Sequence, residues 1–138
     1  MSRPVDLTHL LVQFHHKFKF PFSMTPTGAI DPSVKELRRD LMVEELAEVL
    51  DAMKTIDYEQ IAKELADLVY VVYGTAITYG IDLNEVILAV HASNMGKVDC
   101  NGNPIYDPDT GKLMKGPNYK PPHMASLLAV QRPLLLGN

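Results

Sequence analysis

Residues 44–50 read "EELAEVL", and nineteen positions later residues 63–69 read "KELADLV". The aligned acids of the two stretches are Glu45 with Glu64 and Glu48 with Asp67. Because residues three apart share a helix face, each stretch predicts a helix that carries two carboxylates on one face. With each helix set at about 100° per residue, both acid pairs lie on the same flank of the apolar stripe.

Apolar spacing and capping signals predict the rest of the fold. Four main helices are expected at about residues 7–18, 32–54, 58–79 and 82–97, with Asp6 and Asp31 as N-caps and Gly80 as a C-cap. The segment "PIYDPDTGKLM" predicts a short β-hairpin with Gly111 in a left-handed turn, and the tail adds one short helix. We therefore predict an all-α, antiparallel four-helix bundle with a short β-hairpin and a C-terminal tail. It forms one domain, 1–138, with a helical core at about 6–98 and the hairpin and tail at 99–138.

Composition narrows the class of partner. Of the 138 residues, 46% are hydrophobic and 22% are charged, which is an ordinary globular balance. The net charge of −4 and the absence of Trp argue against a nucleic acid or an anionic membrane as the main partner. The single cysteine, Cys100, fits a reducing compartment, and no apolar run reaches membrane-spanning length. We expect a soluble, cytoplasmic protein.

The acids of the third helix point to a metal. From Leu65 to Ile81, Asp67 is the only residue with a formal charge, so this helix, and Asp67 with it, is predicted to be buried at least within an oligomer. A buried carboxylate is ordinarily paired or bound to a metal ion. Arg38, Lys63 and Lys97 can reach Asp67 in space, but four carboxylate side chains favour a hard cation such as Mg²⁺ or Mn²⁺. Glu44 completes a second metal position or holds a water.

Two other interpretations of the acids stay open. Helical bundles also hold di-iron sites, but these use Glu-x-x-His pairs, and here the third residue after each acid is Glu48 or Asp67. Alternatively, the acids bind a basic partner, and the protein is a helical interaction module without catalytic activity. Such a module binds less tightly at high salt and is indifferent to a chelator.

The fourth predicted helix adds polar groups to an apolar line. Val86 and Val90 define its inner stripe, and Asn94 and then Lys97 continue that line towards the C-terminus. An amide and an ammonium beside a metal cluster suit a phosphate ligand. Two residues of the later segment "KGPNY", Lys115 and Tyr119, can close over the same ligand.

At these residues the sequence resembles the MazG-like, all-α nucleoside triphosphate pyrophosphohydrolases. The resemblance rests on "EELAE" at 44–48, "ELADLVYVVYG" at 64–74 and "SNMGK" at 93–97. It extends to "FHHKF" at 14–18, which makes His15 a candidate substrate-binding residue, and to "KGPNY" at 115–119. It covers residues 10 to about 120 and includes a similarity to phage-encoded members.

The resemblance implies a reaction and a set of roles. Members cleave a nucleotide between the α and β phosphates, which releases the monophosphate and pyrophosphate. Two or three Mg²⁺ or Mn²⁺ ions per site would be held by carboxylates, and the residues implied as ligands are Glu44, Glu45, Glu48, Glu64 and Asp67. Glu44 and Glu48 would serve catalysis, with Glu44 orienting or deprotonating the attacking water, and Asn94 and Lys97 would hold sugar or phosphate. The assembly would be a homodimer or homotetramer with sites near subunit interfaces. A purine deoxynucleotide such as dGTP is favoured, and dUTP or dCTP stays open.

Overall fold

Five α-helices form the framework of the protein in a computed structural model that describes residues 4–135. They are α1 (Leu7–Phe18), α2 (Pro32–Ala52), α3 (Tyr58–Thr78), α4 (Leu83–Asn94) and α5 (Met124–Ala129). The predicted all-α class, with four long helices, is confirmed. None of the helices in the described residues is long and apolar enough to cross a membrane.

Local sequence signals set the helix boundaries. The side chains of three capping residues accept hydrogen bonds from N–H groups two or three residues later, at Asp6, Asp31 and Asp57. Pro32 occupies the first position of α2, where a missing N–H costs no helical hydrogen bond. After α3 the chain turns at Gly80, whose φ is +70°. A Cβ at Gly80 would also collide with the backbone carbonyl of Thr25, so both the turn and the packing require glycine there.

Helix α3 is antiparallel to α2. Arg38, near the start of α2, donates from Nη2 to the carbonyl of Val71 in the C-terminal half of α3, at 2.9 Å. Further along α2, Glu45 and Glu48 approach Glu64 in the N-terminal half of α3. The connection between the two helices is only five residues long, which suits antiparallel neighbours.

Helix α1 packs against the other side of α3, also antiparallel to it. The hydroxyl of Thr8 donates to Asp82 just beyond α3, at 2.8 Å. At the other end of α1, the ring of Phe14 meets the edge of Tyr70 with centroids 5.3 Å apart. Helix α1 therefore covers α3 from Tyr70 towards the C-terminus.

The core lies between these helices and is closed by a later segment of the chain. Its buried members are Leu11, Val12, Tyr73, Ile77 and Leu134. The N–H of Leu134 donates to the carbonyl of Met24 at 2.7 Å. Gln131 donates to the carbonyl of Gly80 and accepts from the N–H of Asp82, both at 2.8 Å. These contacts fix residues 131–135 against the end of α3.

The N-terminal half of α3 is more exposed than the sequence predicts. The side chain of Asp67 is 39% exposed in the single chain, so its predicted burial requires a second copy of the chain. Leu65 and Val69 are exposed as well. In this half of α3 the acid cluster is the contact with α2, whereas the ring contact of α1 lies at Tyr70.

The described residues form two compact units. One unit contains the described residues up to Leu83 together with those from Gln131, and the other spans Asn84–Val130. The second unit holds most of α4, an irregular segment and α5. Within it, the Ser93 hydroxyl donates to the carbonyl of Lys120 at 2.5 Å.

The predicted hairpin is reduced to isolated pairings. Antiparallel bridges join Val98 with Pro104 and Tyr106 with Leu113, and no continuous ladder forms in residues 98–114. Gly111 has a φ of +71°, as the turn prediction requires. The fourth helix also ends at Asn94, three residues before the predicted end, because the chain turns at Met95 and Gly96.

Candidate active site

Three glutamates from two helices converge on one point. One carboxylate oxygen from each of Glu45, Glu48 and Glu64 lies within 4.8 Å of the others. The spacing of three places Glu45 and Glu48 on one face of α2, and the antiparallel pairing of the helices brings that face to Glu64. The echo between the two sequence stretches thus becomes a cluster of acids in space.

Two oxygens of this cluster are buried without a partner. They are Oε2 of Glu45 and Oε2 of Glu64, which have no hydrogen-bond partner in the described residues. The whole Glu64 residue is only 5% exposed. A buried anionic oxygen without a donor is costly, and a bound cation removes that cost. Because all the available donor atoms are carboxylate oxygens, the residues fit a hard divalent cation such as Mg²⁺ or Mn²⁺.

The electrostatic state of Glu45 reflects the same crowding. Its pKa is raised above the ordinary value, first because burial disfavours the charged form and then because of negative charge on Glu48, Asp67 and Glu44. Glu44 itself is exposed next to the cluster. The cluster is therefore a strongly negative spot that favours a proton or a metal ion.

Asp67 is held by a lysine beside the cluster. Lys63 Nζ lies 2.8 Å from Oδ2 of Asp67 and 3.6 Å from Oε1 of Glu64. Gln60 Nε2 donates to the same Oε1 of Glu64. The pKa of Lys63 is raised, chiefly by its hydrogen bond and charge interaction with Asp67. Gln60 and Lys63 thus occupy one oxygen of Glu64 and leave the other for the centre of the cluster.

His15 lies in a different part of the same unit. It is almost fully buried, and its Nδ1 is 3.3 Å from the carbonyl of Pro21. A carbonyl only accepts, so Nδ1 carries the hydrogen and Nε2 is left as the acceptor of a neutral ring. Burial lowers the pKa of His15, and the nearby charge of Arg38 lowers it further, which keeps the ring neutral near pH 7.

The second unit brings three of the predicted binding residues together. The ammonium groups of Lys97 and Lys115 lie 5.9 and 5.1 Å from the centroid of the Tyr119 ring. Both distances are within the range of cation–π attraction. Asn94, at the end of α4, is exposed. Two cations on one ring form a positive patch of the kind that phosphate attracts.

A family model decides the relationship of the chain to known proteins. The model described as phosphoribosyl-ATP pyrophosphohydrolase matches residues 11–94, more than half of the chain. The chain belongs to the phosphoribosyl-ATP pyrophosphohydrolase family. The match contains both acid stretches and Asn94, and it confirms the predicted relationship to pyrophosphohydrolases. Membership in this family agrees with the prediction of an enzyme.

Two individual proteins are also similar to this family member. Uncharacterized protein L479 of Acanthamoeba polyphaga mimivirus is 37% identical over 55 residues, which are 40% of this chain and 22% of that protein. The match thus spans about a fifth of the length of the viral protein. The crystal structure of a candidate NTP pyrophosphohydrolase from Exiguobacterium sp. 255-15 is 20% identical, with a TM-score of 0.43 over 93% of this chain and 94% of that one.

The structure also identifies contacts that the sequence pattern does not single out. Gln60 lies one helical turn before Glu64, a spacing that indicates a possible side-chain contact. Lys63 lies one turn before Asp67, and its predicted reach to that carboxylate is confirmed. The sequence suggests Arg38 only as a partner for Asp67, whereas the residue is buried against α3 further along the helix.

Proposed function

We propose that the protein hydrolyses a (deoxy)nucleoside triphosphate to the monophosphate and pyrophosphate with Mg²⁺ or Mn²⁺. The observation that supports this proposal best is the convergence of Glu45, Glu48 and Glu64 with two buried, unpartnered oxygens. It occurs in a chain that belongs to a pyrophosphohydrolase family. Phosphoryl chemistry requires charge neutralisation and alignment more than a reactive side chain, and carboxylates with a divalent metal supply both.

The metal ligands follow from the cluster. Glu45, Glu48 and Glu64 would hold the first ion, and Asp67 and Glu44 would join them for two or three ions per site. The bound metal would neutralise the triphosphate and lower the pKa of a water molecule. Because Asp67 is paired with Lys63, its recruitment requires that this ion pair opens or shifts.

Glu44 and Glu48 would accept the proton of the attacking water molecule. The oxygen of a water molecule attacks the α-phosphorus while Glu44, assisted by Glu48, accepts the proton of that water. The bond between the α-phosphorus and the oxygen that bridges to the β-phosphorus breaks. Pyrophosphate leaves with the electron pair of that bond. Exposure of Glu44 and Glu48 gives both side chains access to water for this role.

Residues outside the cluster would bind the nucleotide. From the second unit we assign Asn94, Lys97, Lys115 and Tyr119 to sugar and phosphate, because the two ammonium groups form a positive patch on Tyr119. From the first unit we assign His15 to the substrate. A purine deoxynucleotide such as dGTP is the favoured substrate, with dUTP or dCTP as alternatives.

An oligomer, either a homodimer or a homotetramer with sites near the subunit interfaces, is part of the proposal. Apolar side chains on α2 are exposed in the single chain, including Leu46, Leu50 and Met53. They follow helical spacing, so they form one continuous stripe on the surface of α2. A second copy that covers this stripe would remove its apolar surface from water, and the exposed Leu65 and Val69 of α3 offer further apolar surface for contact between copies.

The test is a product analysis on each of the eight common (d)NTPs. With Mg²⁺ or Mn²⁺ present we expect monophosphate and pyrophosphate in equal amounts. After addition of EDTA we expect no product. Release of inorganic phosphate with a diphosphate product would contradict cleavage between the α and β phosphates. Binding without turnover, weakened by salt and unaffected by EDTA, would instead indicate the interaction module. Activity that appears only with iron would indicate a di-iron site.

A further inference from the structure

Arg38 is a buried cation without an acidic partner. The residue is 7% exposed, and no carboxylate of the described residues forms an ion pair with it. Its Nε donates to the hydroxyl of Thr75 at 3.1 Å and its Nη2 to the carbonyl of Val71 at 2.9 Å. Burial lowers the pKa of Arg38, and no neighbouring anion offsets that effect. A guanidinium has five N–H donors, so donors remain for a further acceptor.

Arg38 is one of the side chains that border an aromatic pocket. This pocket of about 210 Å³ lies between α1, α2 and α3 and is lined by Leu11, Phe14, His15, Phe20, Arg38, Leu41, Tyr70 and Val71. The rings of Phe14 and Phe20 are stacked with centroids 5.9 Å apart, and Tyr70 meets Phe14 edge-on. Flat apolar walls with a few polar groups are typical of a site for a planar ring.

The two polar side chains of the pocket have opposite hydrogen-bonding character. Arg38 only donates, whereas neutral His15 keeps Nε2 as an acceptor. Both groups converge beside Gly74, where a Cβ would stand 2.6 Å from Nη2 of Arg38 and 3.0 Å from Nε2 of His15. Glycine at position 74 thus leaves room for the two side chains to lie together. A donor next to an acceptor is complementary to an amide edge, which presents O=C–N–H.

The pocket lies about one helical turn from acids of the site on each of two helices. On α2, Leu41 precedes Glu45 by one turn, which is about 6 Å of helix. On α3, Tyr70 follows Asp67 by three residues. A ligand with a flat ring in the pocket can therefore extend its polar part towards the carboxylates within the same unit.

We propose that this pocket binds the base of the nucleotide and that Arg38 and His15 select bases with an amide edge, namely guanine, uracil or thymine. Adenine and cytosine present an amino group where these three present the carbonyl oxygen, so they place a donor against the donor of Arg38. The inference rests on the proposed function for the rest of the substrate. It adds a specificity-determining residue, Arg38, which the acid cluster does not explain.

The first experiment changes the substrate and leaves the protein intact. The wild-type chain is assayed with dGTP and with the triphosphate of 2-aminopurine deoxyriboside, which lacks both the O6 and the N1–H of guanine. We expect kcat/KM to fall roughly 10- to 100-fold for the analogue, the effect of losing a hydrogen bond to a charged group. Parallel assays with dUTP and dTTP show which amide-edge base is preferred, and assays with dATP and dCTP measure the discrimination against bases without an amide edge. A preference for dATP or dCTP, or equal use of dGTP and its analogue, would overturn the proposal.

The second experiment changes the arginine. Arg38→Gln should reduce the ratio of kcat/KM for dGTP over dATP by at least tenfold. Arg39→Gln is the matched control, because Arg39 is the exposed neighbour and pairs with Asp40 on the surface. Circular dichroism and thermal melting establish that each variant is folded. A folded Arg38→Gln protein with an unchanged base preference refutes the role of Arg38, and if that variant does not fold, the analogue experiment decides alone.

A binding assay separates this inference from the proposed function. Calorimetry in EDTA measures the affinity of the wild-type protein for dGMP, dUMP, dTMP and dAMP without metal or turnover. We expect a monophosphate with an amide-edge base to bind at least tenfold more tightly than dAMP. If no triphosphate is hydrolysed but this preference is found, the proposed function fails and the base pocket stands. Equal affinity for all four overturns the base pocket whatever the activity.

Discussion

Neutralising Glu64 should stabilise the metal-free protein and weaken its response to metal. Glu64 is the most buried member of the acid cluster, and one of its oxygens has no partner in the described residues. Glu64→Gln keeps the shape of the side chain and the contact from Gln60, and it removes one negative charge. In metal-free buffer that charge is repelled by Glu45 and Glu48. The substitution therefore separates a cation site from an ordinary structural glutamate, whose loss would destabilise the fold.

The magnitude follows from the geometry. Two unit charges 4.8 Å apart repel by about 1 kcal/mol in water and about 3.5 kcal/mol at an effective dielectric constant of 20. The pair Glu45–Glu64 is partly buried and lies between these limits, while the exposed Lys63 offsets part of the gain. We expect a net stabilisation of roughly 1–3 kcal/mol at low salt, which is about 3–10 °C in Tm for a chain of this size.

The assay is thermal melting of both proteins in EDTA and in saturating Mg²⁺ or Mn²⁺. Metal at 100 times its Kd stabilises the wild-type fold by about 2.7 kcal/mol, and the variant should gain much less. The Tm advantage that the variant has in EDTA should therefore shrink by most of this amount when metal is added, and it reverses if that advantage is below about 2.7 kcal/mol. Glu36→Gln, an exposed change on the neighbouring helix α2, is the control and should show neither effect. A lower Tm for Glu64→Gln in EDTA, or an equal metal response, would refute the reasoning.

Three other predictions concern single side chains. Asp67→Asn should abolish turnover, measured by kinetics, and weaken metal binding, measured by calorimetry, while circular dichroism shows that the fold is retained. Full activity of this variant would show that Asp67 is not part of the site. Lys115→Ala should raise KM more than it lowers kcat, because Lys115 would contribute to substrate binding. Lys97→Ala should lower kcat, because Lys97 would lie near the phosphates, whose charge changes during the reaction. A changed elution volume on a sizing column with unchanged KM would assign Lys115 to subunit packing instead. The pKa of His15 in the folded protein lies below the ordinary value of 6.5. Between these two pKa values the unfolded chain binds more protons than the folded one. The free energy of unfolding should therefore fall as the pH drops from 6.5 through the pKa of the folded state. Urea denaturation at pH 7.5 and 5.5 should show this loss in the wild type and in His16→Gln but not in His15→Gln, and an equal pH dependence in all three would contradict it.

Most of the fold could be predicted because its signals are local. The caps at Asp6 and Asp31, the glycine at 80 and the apolar spacing between them depend on neighbours within one or two turns. The predicted hairpin failed as a continuous ladder because strand pairing depends on side-chain packing as well as on the turn. The left-handed turn at Gly111, a local feature, was predicted correctly.

The site was less predictable because it depends on which helix covers which face. The spacing of the acids predicted that each helix carries its carboxylates on one face. The structure brings Glu45, Glu48 and Glu64 from these faces together. Spacing did not show how far the single chain covers Asp67, whose side chain is 39% exposed, and its burial within an oligomer stays a prediction. The pairing of His15 with Arg38 depends on a contact across 23 residues of sequence and on the small size of Gly74. No local pattern reports such a contact.

The most direct test of the central claim is hydrolysis of the preferred triphosphate in water enriched in ¹⁸O. If water attacks the α-phosphorus, mass spectrometry will find one ¹⁸O atom in the monophosphate and none in the pyrophosphate. This labelling should require Mg²⁺ or Mn²⁺ and should be lost in Glu64→Gln. Label in the pyrophosphate would contradict attack on the α-phosphorus, and cleavage that needs no metal or persists in Glu64→Gln would contradict the catalytic role of the carboxylate cluster.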